Sequence, residues 1–213
     1  MTPAETIYRL QLALIAATTG ELRGPHVTVA EAALFVPLTD EQITLEVIEG
    51  RRAGEDAPDA IVAVVDAAQT EDVLFGAQGL AAALPRGAAV LLCPTIAPHD
   101  TERFAARLAE AGLEAIDAPM SGGPLRAREG TMSLMVACDP ALYAQRRTLL
   151  DALSNKLFHV SARVGDGART KLVNNLLAGI NLVGAAEVMA LADRMGLDLQ
   201  RTLDVIEQSS GQS

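Results

Sequence analysis

The sequence has no tryptophan and few other residues of the types that usually mark a reactive or metal-binding centre. Its 213 residues contain two tyrosines, four phenylalanines, three histidines and two cysteines. Cys93 and Cys138 lie in apolar runs, which excludes a disulfide framework and is typical of buried thiols in a reducing compartment. His26, His99 and His159 lie far apart without Cys or carboxylate at ligand spacing, so no metal site is predicted.

The sequence also lacks a long unbroken apolar run and an excess of basic residues. No stretch approaches the roughly 18 apolar residues of a membrane span, and the six-residue run Leu12–Ala17 follows acidic and basic residues rather than a basic signal region. With 17 basic and 27 acidic residues the formal net charge is −10, which argues against nucleic acid or an anionic membrane as a partner. A cytoplasmic location is therefore expected.

Three familiar nucleotide-binding or hydrolytic motifs are missing as well. The segment Gly165-Asp166-Gly167 contains the one Gly-x-Gly, and the position where a dinucleotide fingerprint needs its third glycine is Thr170. No Gly-Lys pair exists, which excludes a phosphate-binding P-loop. Ser121 lacks the Gly-x-Ser-x-Gly frame of a hydrolase nucleophile.

What the sequence does contain is an alternation of buried strands and helices after residue 58. Apolar runs predict five strands, and amphipathic segments between them predict helices. The strands are Ala60–Val65, Ala88–Cys93, Glu114–Ala118, Thr131–Cys138 and Lys156–Val160. The helices fall within Gln69–Leu84, His99–Ala111 and Pro140–Leu153. This order predicts an α/β fold with a largely parallel, doubly wound sheet.

The pattern changes near residue 164, where one long helix is predicted to run to Met195, followed by a helix that Asp198 caps. The chain is thus predicted to have a second half of a Rossmann-like domain at 59–163 and the beginning of an all-α domain at 164–213. Residues 1–58 form a segment of unknown role, for which helices at Pro3–Thr18 and Thr39–Glu49 and a strand at His26–Ala30 are predicted.

The loop after the third strand, Asp117 to Gly123, is the first candidate for chemistry. Gly122 and Gly123 follow Ser121 at the carboxyl end of a strand, where α/β sheets bind ligands and where backbone N–H groups reach an anion. A tight turn that merely uses two glycines explains this segment equally well. Thr95, exposed where the end of the second strand turns at Pro94 and Pro98, is a weaker candidate.

The long helix supplies the second candidate. Lys171, Asn174 and Asn175 lie three and four residues apart and form one polar patch on an otherwise apolar helix. The alternative is that Lys171 lies near the start of the helix with its amine in water. Two adjacent asparagines are poor helix formers, which favours a functional interpretation.

Together these segments resemble the β-hydroxyacid dehydrogenase family, which includes 3-hydroxyisobutyrate dehydrogenase and tartronate semialdehyde reductase. The family pattern Asp-x-Pro-x-Ser-Gly-Gly matches Asp117–Gly123, and Gly-x-Gly-x-x-x-Lys-x-x-Asn-Asn matches Gly165–Asn175. Arg126 and the segment Ala67–Glu71 resemble the L-threonate dehydrogenase branch. Compared with the family, the chain lacks the first strand and glycine-rich turn and also the later helices, so it is expected to be truncated at both ends.

The resemblance implies hydride transfer between NAD or NADP and a small hydroxy acid, within a homo-oligomer. Lys171 would be the general acid–base, assisted by Asn175. Substrate-binding residues would be Ser121, Gly122, Gly123 and Asn174, and cofactor-binding residues would be Asp66, Ala67 and Thr95. Without the glycine-rich turn, cofactor binding is expected to be weak.

A different class of function stays open beside the enzyme. The chain would then be a folded, dimerising module that binds no dinucleotide, because the part of the family domain that holds the pyrophosphate is missing. The two interpretations differ in whether residues 1–58 rebuild a strand and phosphate-binding turn beside Ala60–Val65, which the sequence does not predict.

Overall fold

The computed structural model describes residues 32–36, 38–39, 42–43, 46–49, 59–77, 79–123, 126, 131–154 and 156–212. Within these, one sheet has the order β10-β9-β7-β6-β5-β1-β4 with β8 paired to β9. Its strands are β1 (Ala32–Val36), β4 (Glu46–Glu49), β5 (Asp59–Val62), β6 (Ala89–Leu92), β7 (Glu114–Asp117), β8 (Met120–Ser121), β9 (Ser133–Ala137) and β10 (Lys156–Ser161). A separate hairpin pairs β2 (Leu38–Thr39) with β3 (Gln42–Ile43).

The sheet is mainly parallel where the sequence predicted it. Strands β5, β6 and β7 are parallel neighbours, and so are β9 and β10. The prediction of one continuous sheet is therefore confirmed for these strands. The pairing of β7 with β9 through Asp117 and Ala137 is antiparallel, a reversal that alternating apolar runs do not reveal.

Seven helices connect or follow these strands in the described part of the chain. They are α1 (Ala67–Phe75), α2 (Leu80–Ala83), α3 (Pro98–Glu110), α4 (Pro140–Gln145), α5 (Arg147–Leu153), α6 (Asp166–Arg194) and α7 (Leu199–Glu207). The predicted helix Pro140–Leu153 is divided at Arg146, whose guanidinium donates to the buried Asp59 carboxylate at 3.0 Å. Asp198 caps α7 as predicted, accepting the Arg201 N–H at 2.9 Å.

The core has two layers because successive strand residues point to opposite faces of the sheet. One cluster holds Ile61 and Leu91 with the apolar side of α4 and α5, and the other holds Val62 and Leu92 with Phe104 of α3. Helices thus cover both faces of the sheet. This is the Rossmann-like, doubly wound arrangement that the sequence predicts, followed by helices.

Two predictions for the first 58 residues fall outside the described part of the chain, the helix at Pro3–Thr18 and the strand at His26–Ala30. The predicted helix at Thr39–Glu49 is wrong, since this segment contains β3 and β4. Ile43, Leu45 and Val47 alternate with polar residues, which is the period of a strand rather than a helix. Strand β1 also lies beside β5, in antiparallel pairing, where no strand was expected.

The chain divides into two compact units, Met1–Lys171 and Leu172–Ser213. In the second unit Ala192 is the one buried residue among 172–212. Helix α6 begins in the first unit and continues in the second. Its length and apolar composition would be enough to cross a membrane, but core helices of soluble proteins meet the same two criteria. Its apolar residues are exposed along most of its length.

Candidate active site

The predicted site residues of the first unit follow the carboxyl ends of three parallel strands. Asp66 follows β5, Thr95 follows β6, and the loop Ser121–Gly123 follows β7. Parallel strands end at the same edge of a sheet, and open α/β sheets bind their ligands there. The fold therefore gathers these three segments at one edge of the sheet.

Asp66 begins helix α1 and uses its carboxylate within the protein. Its Oδ1 accepts the Gln69 N–H at 2.8 Å, and its carbonyl accepts the Thr70 hydroxyl at 2.7 Å. This is an N-cap, which stabilises the start of a helix. Thr95 is exposed, following the buried Pro94. The cofactor contacts predicted for Asp66, Ala67 and Thr95 stay predictions.

The loop Ser121–Gly123 is open to a ligand at its last residue. Gly122 has φ +138° and Gly123 has φ +65°, conformations in which a side chain is strained. Among the described residues, no atom beyond its chain neighbours lies within 4 Å of where a Cβ on Gly123 would be, so these residues leave room for an anion to approach the backbone. Ser121 is held in place because Ser133 Oγ donates to its carbonyl at 3.3 Å.

Arg126 lies against the same loop. A Cβ on Gly122 would come within 2.8 Å of the Arg126 Cβ and 2.9 Å of its Cδ, so the glycine makes room for the arginine stem. The Arg126 carbonyl accepts the Thr131 N–H at 2.8 Å, which ties the loop to the residues before β9. A positive side chain thus flanks the predicted carboxylate-binding loop.

Lys171 is buried on α6, with 9% of its surface exposed. Burial lowers the pKa of its amine, because a charged ammonium loses solvation away from water. The alternative interpretation, in which the Lys171 amine lies in bulk water, does not agree with this burial. The sequence contains lysine at positions 156 and 171 alone, and this rarity is a sign of a special role that the motif analysis did not use. One of the two lysines is buried.

Asn174 and Asn175 follow Lys171 by three and four residues on the same helix and begin the second unit. Both are exposed. Their predicted roles in orienting Lys171 and the substrate stay predictions.

Asp117 is the functional candidate for which no specific role was predicted. The carboxylate lies at the end of β7 with 1% of its surface exposed, and its Oδ2 accepts the N–H groups of Gly165 at 2.8 Å and Ala168 at 3.1 Å. Burial raises its pKa to about 6, against the opposing effect of these hydrogen bonds. The partners lie about fifty residues further along the chain, so local spacing carries no sign of the contact.

Two other chemistries find no support in the described residues. Burial raises the pKa of Cys93 to about 12 and that of Cys138 to about 11, so neither is a thiolate nucleophile near neutral pH. No group of three His, Cys, Asp or Glu side chains in that part of the chain is placed to hold a metal ion.

Two family models match the chain. Residues 35–161 match the NAD binding domain of 6-phosphogluconate dehydrogenase, and residues 165–213 match the NAD-binding domain of NADP-dependent 3-hydroxyisobutyrate dehydrogenase. The first match covers more than half of the chain and begins inside the segment for which no role was predicted.

Curated relatives and solved structures agree with these models. L-threonate dehydrogenase of Cupriavidus necator is 43% identical over 150 residues, covering 70% of this chain and 50% of the relative. 2-hydroxy-3-oxopropionate reductase of Escherichia coli is 34% identical over 165 residues, with 76% and 56% covered. A crystal structure of 3-hydroxyisobutyrate dehydrogenase from Salmonella typhimurium has a TM-score of 0.69 at 35% identity, with 76% and 56% covered.

A further solved structure, that of Psf3 in complex with NADP+ and 2-OPP, has a TM-score of 0.68 at 34% identity and covers 74% of this chain and 55% of that one. The chain spans about half the length of the curated relatives it matches. The resemblance predicted from the two sequence motifs, including the L-threonate branch, is thereby confirmed.

Proposed function

Because this chain belongs to the β-hydroxyacid dehydrogenase family, we propose that it takes part in hydride transfer between NAD(P) and a small hydroxy acid. The observation that carries the proposal is Lys171, a buried lysine on the segment that matches the family motif. The loop Ser121–Gly123, open to an anion, supplies the matching carboxylate-binding element.

The nicotinamide cofactor, when bound, accepts or donates the hydride. The residues of this chain manage the proton and the substrate. In the oxidative direction Lys171 Nζ takes the proton of the substrate hydroxyl, and in the reductive direction it returns one. The amine is suited to the first role because burial lowers its pKa and so raises the neutral fraction near physiological pH.

Substrate binding is proposed to rest on the backbone of Gly122 and Gly123 and on the Ser121 hydroxyl. Gly123 is exposed and both glycines have positive φ, and backbone N–H groups in such turns bind carboxylates well. Asn174 and Asn175 are proposed to assist on the substrate side, as the family motif implies. The exposed Val65 and Thr95 offer an apolar and a hydroxyl contact at the strand ends where the cofactor is expected.

The test is an assay of NAD(P)+ reduction by the purified chain with L-threonate, L-serine and 2-(hydroxymethyl)glutarate, acids that curated relatives are named for. Substrate-dependent formation of NAD(P)H supports the proposal. If none of these acids, at any concentration of NAD+ or NADP+, gives turnover while the chain is folded, the non-catalytic alternative is favoured.

Cofactor affinity separates these two functions further. We expect NADH and NADPH to bind to this chain more weakly than to relatives that carry a glycine-rich turn, because this sequence contains no such turn to hold the pyrophosphate. Isothermal titration calorimetry measures this directly. A dissociation constant of about 1 μM for either cofactor, roughly −8 kcal/mol, would contradict the expectation.

We also propose that the apolar surface of α6 and α7 is buried against protein in a homo-oligomer, and that the chain is cytoplasmic. Leu176, Ile180 and Val183 on α6 are all exposed, and a continuous apolar surface of this kind is normally covered. Light scattering should give a mass above that of one chain, and Ile180→Glu should lower it. A monomeric wild-type chain, or its recovery in the membrane fraction of cells, would overturn this proposal.

A further inference from the structure

The end of strand β7 connects the two elements on which the proposed function depends. Asp117 is the last residue of β7, and the chain continues through Pro119 into Ser121 at the start of the substrate loop. The Asp117 carboxylate binds the first turn of α6, the helix whose sixth residue is Lys171. One buried side chain therefore lies between the candidate substrate loop and the candidate acid–base.

We propose that Asp117 is the positioning residue of the site: its carboxylate anchors the first turn of α6 to the end of β7 and so fixes Lys171 relative to Ser121–Gly123. The inference rests on the proposed function for the importance of Lys171. The contact itself, and its effect on the amine, are independent of turnover.

The contact between Asp117 and the helix is direct and is enclosed by protein. Oδ2 accepts two N–H groups, those of Gly165 and Ala168, and the carboxyl is almost completely buried. The first N–H groups of a helix have no partner within the helix, so an acceptor from another element satisfies them and defines where the helix begins. Charge-assisted bonds of this type are stronger than those between neutral groups.

Gly167 shows how closely the turn and the strand approach. A Cβ at this position would lie 2.9 Å from Asp117 Oδ2 and 2.6 Å from the Met135 carbonyl of β9. Any side chain here forces the helix away from both strands. The second glycine of the Gly165-Asp166-Gly167 segment is thus explained by packing against Asp117 rather than by a phosphate.

Ion pairs hold the same turn from the solvent side. Arg169 donates to Glu102 of α3 at 2.6 Å, and Arg163 binds Asp166 at 2.7 Å. These pairs are partly exposed to solvent and contribute little by themselves. The buried Asp117 contact is the one that ties the turn to the sheet.

The burial of the Asp117 charge is unfavourable to the fold, because burial raises the pKa of this carboxyl to about 6. At neutral pH an ionised group with a raised pKa destabilises the folded state relative to a neutral one. The carboxylate at position 117 is therefore not explained by a gain in stability. It is explained by the two N–H groups that it binds at a defined distance from the end of β7.

The two lysines of the chain make a direct test possible. With ¹³C-labelled lysine the protein gives two side-chain signals, one from Lys171 and one from the exposed Lys156, which serves as the internal reference. In Asp117→Ala we expect the Lys171 pKa to rise, because the freed turn exposes the amine to water. Hydrogen exchange at Gly165 and Ala168 should accelerate about tenfold or more. Asp117→Asn keeps an acceptor oxygen and should change both readouts less.

The matched controls carry the same type of substitution, Asp→Ala or Gly→Ala, at positions outside the anchor. Asp139→Ala removes another N-cap, which accepts the Ala141 N–H at 2.7 Å, and should leave the Lys171 signal unchanged. Gly167→Ala disturbs the anchor with the carboxylate intact and should raise the Lys171 pKa. Gly179→Ala on the same helix should not, because its Cβ would meet no atom of another described residue beyond the helix's own backbone within 4 Å. Should Asp117→Ala fail to fold, Gly167→Ala carries the test.

An unchanged Lys171 pKa in folded Asp117→Ala and in Gly167→Ala would overturn the inference, as would an equal change in Asp139→Ala. These titrations need neither cofactor nor substrate. A failure of the turnover assay with an intact anchor would therefore refute the proposed function and leave the positioning role standing.

Discussion

The two units of this chain are built from equally apolar residues that have very different surroundings. In the first unit the apolar side chains of β5, β6 and α3 are buried on both faces of a sheet. In the second unit the leucines and valines of α6 and α7 are exposed, among them Leu182 with 73% of its surface accessible. Hydrogen bonds within the helix define its backbone, but only neighbouring elements bury its side chains.

The contrast between the units places the candidate acid–base in the buried part of the chain. Lys171 is the last residue of the first unit, and its burial comes with the turn that Asp117 anchors. The residues that follow it on α6 are mostly exposed. The candidate acid–base is therefore a feature of the sheet unit, and substitutions in the two units should have contrasting effects.

The largest effect is expected at Lys171. Lys171→Ala should reduce turnover by about 10²–10⁴-fold, the usual contribution of a general acid–base, with cofactor affinity almost unchanged. Lys156→Ala, at the exposed start of β10, is the matched control and should keep full activity. Equal losses in the two variants, measured as kcat, would contradict the role of Lys171.

A pair of core and surface substitutions compares the units directly. Phe104→Ala removes a side chain that is 0% exposed and packs against Phe75, and should lower the free energy of unfolding by about 3–5 kcal/mol. Leu182→Ala should change it by less than about 0.5 kcal/mol at protein concentrations low enough to dissociate the proposed oligomer. Chemical denaturation at several protein concentrations gives both values.

The Leu182→Ala penalty should grow as protein concentration rises, since association buries the helix surface. A penalty as large as that of Phe104→Ala at every concentration would show that α6 is covered within the monomer.

Asp117→Asn should have a smaller effect than Phe104→Ala, and one with a defined pH dependence. Its pKa is raised from 3.8 to about 6, so its contribution to stability is fully present below pH 3.8 and is lost as the pH rises through about 6. At pH 7.5 Asp117→Asn should therefore unfold with a free energy up to about 3 kcal/mol higher than the wild-type chain. The difference should disappear near pH 4, and a difference that grows toward acid pH would contradict a raised pKa for Asp117.

Most of the fold beyond residue 58 was predictable because its signals are local. Continuous apolar runs identified β5 and β6, and Asp198 marked the start of α7. The antiparallel pairing of β7 with β9, in contrast, depends on contacts between distant segments. The helix predicted at Thr39–Glu49 failed for a different reason, since the alternation in that segment was visible and was assigned the wrong period.

The site was predictable to the extent that its residues stand in a motif. Lys171 and Ser121 were identified from the family pattern, which contains their types and spacing. Asp117 stood in the same pattern, but its role follows from hydrogen bonds to Gly165 and Ala168, which no spacing rule relates to it. The burial of Lys171 could likewise be known only once the first turn of α6 had been placed on the sheet.

Rescue of Lys171→Ala by added amines tests the central claim most directly, because it asks whether the missing group is a proton carrier. Substrate oxidation by the variant is measured with increasing concentrations of ammonia, methylamine and ethylamine at constant ionic strength. We predict a rate that rises with amine concentration and with amine basicity, and no such rise in Lys156→Ala. An inactive Lys171→Ala variant that no amine restores, although it binds cofactor and substrate as the wild-type chain does, would contradict the assignment of Lys171 as the general acid–base.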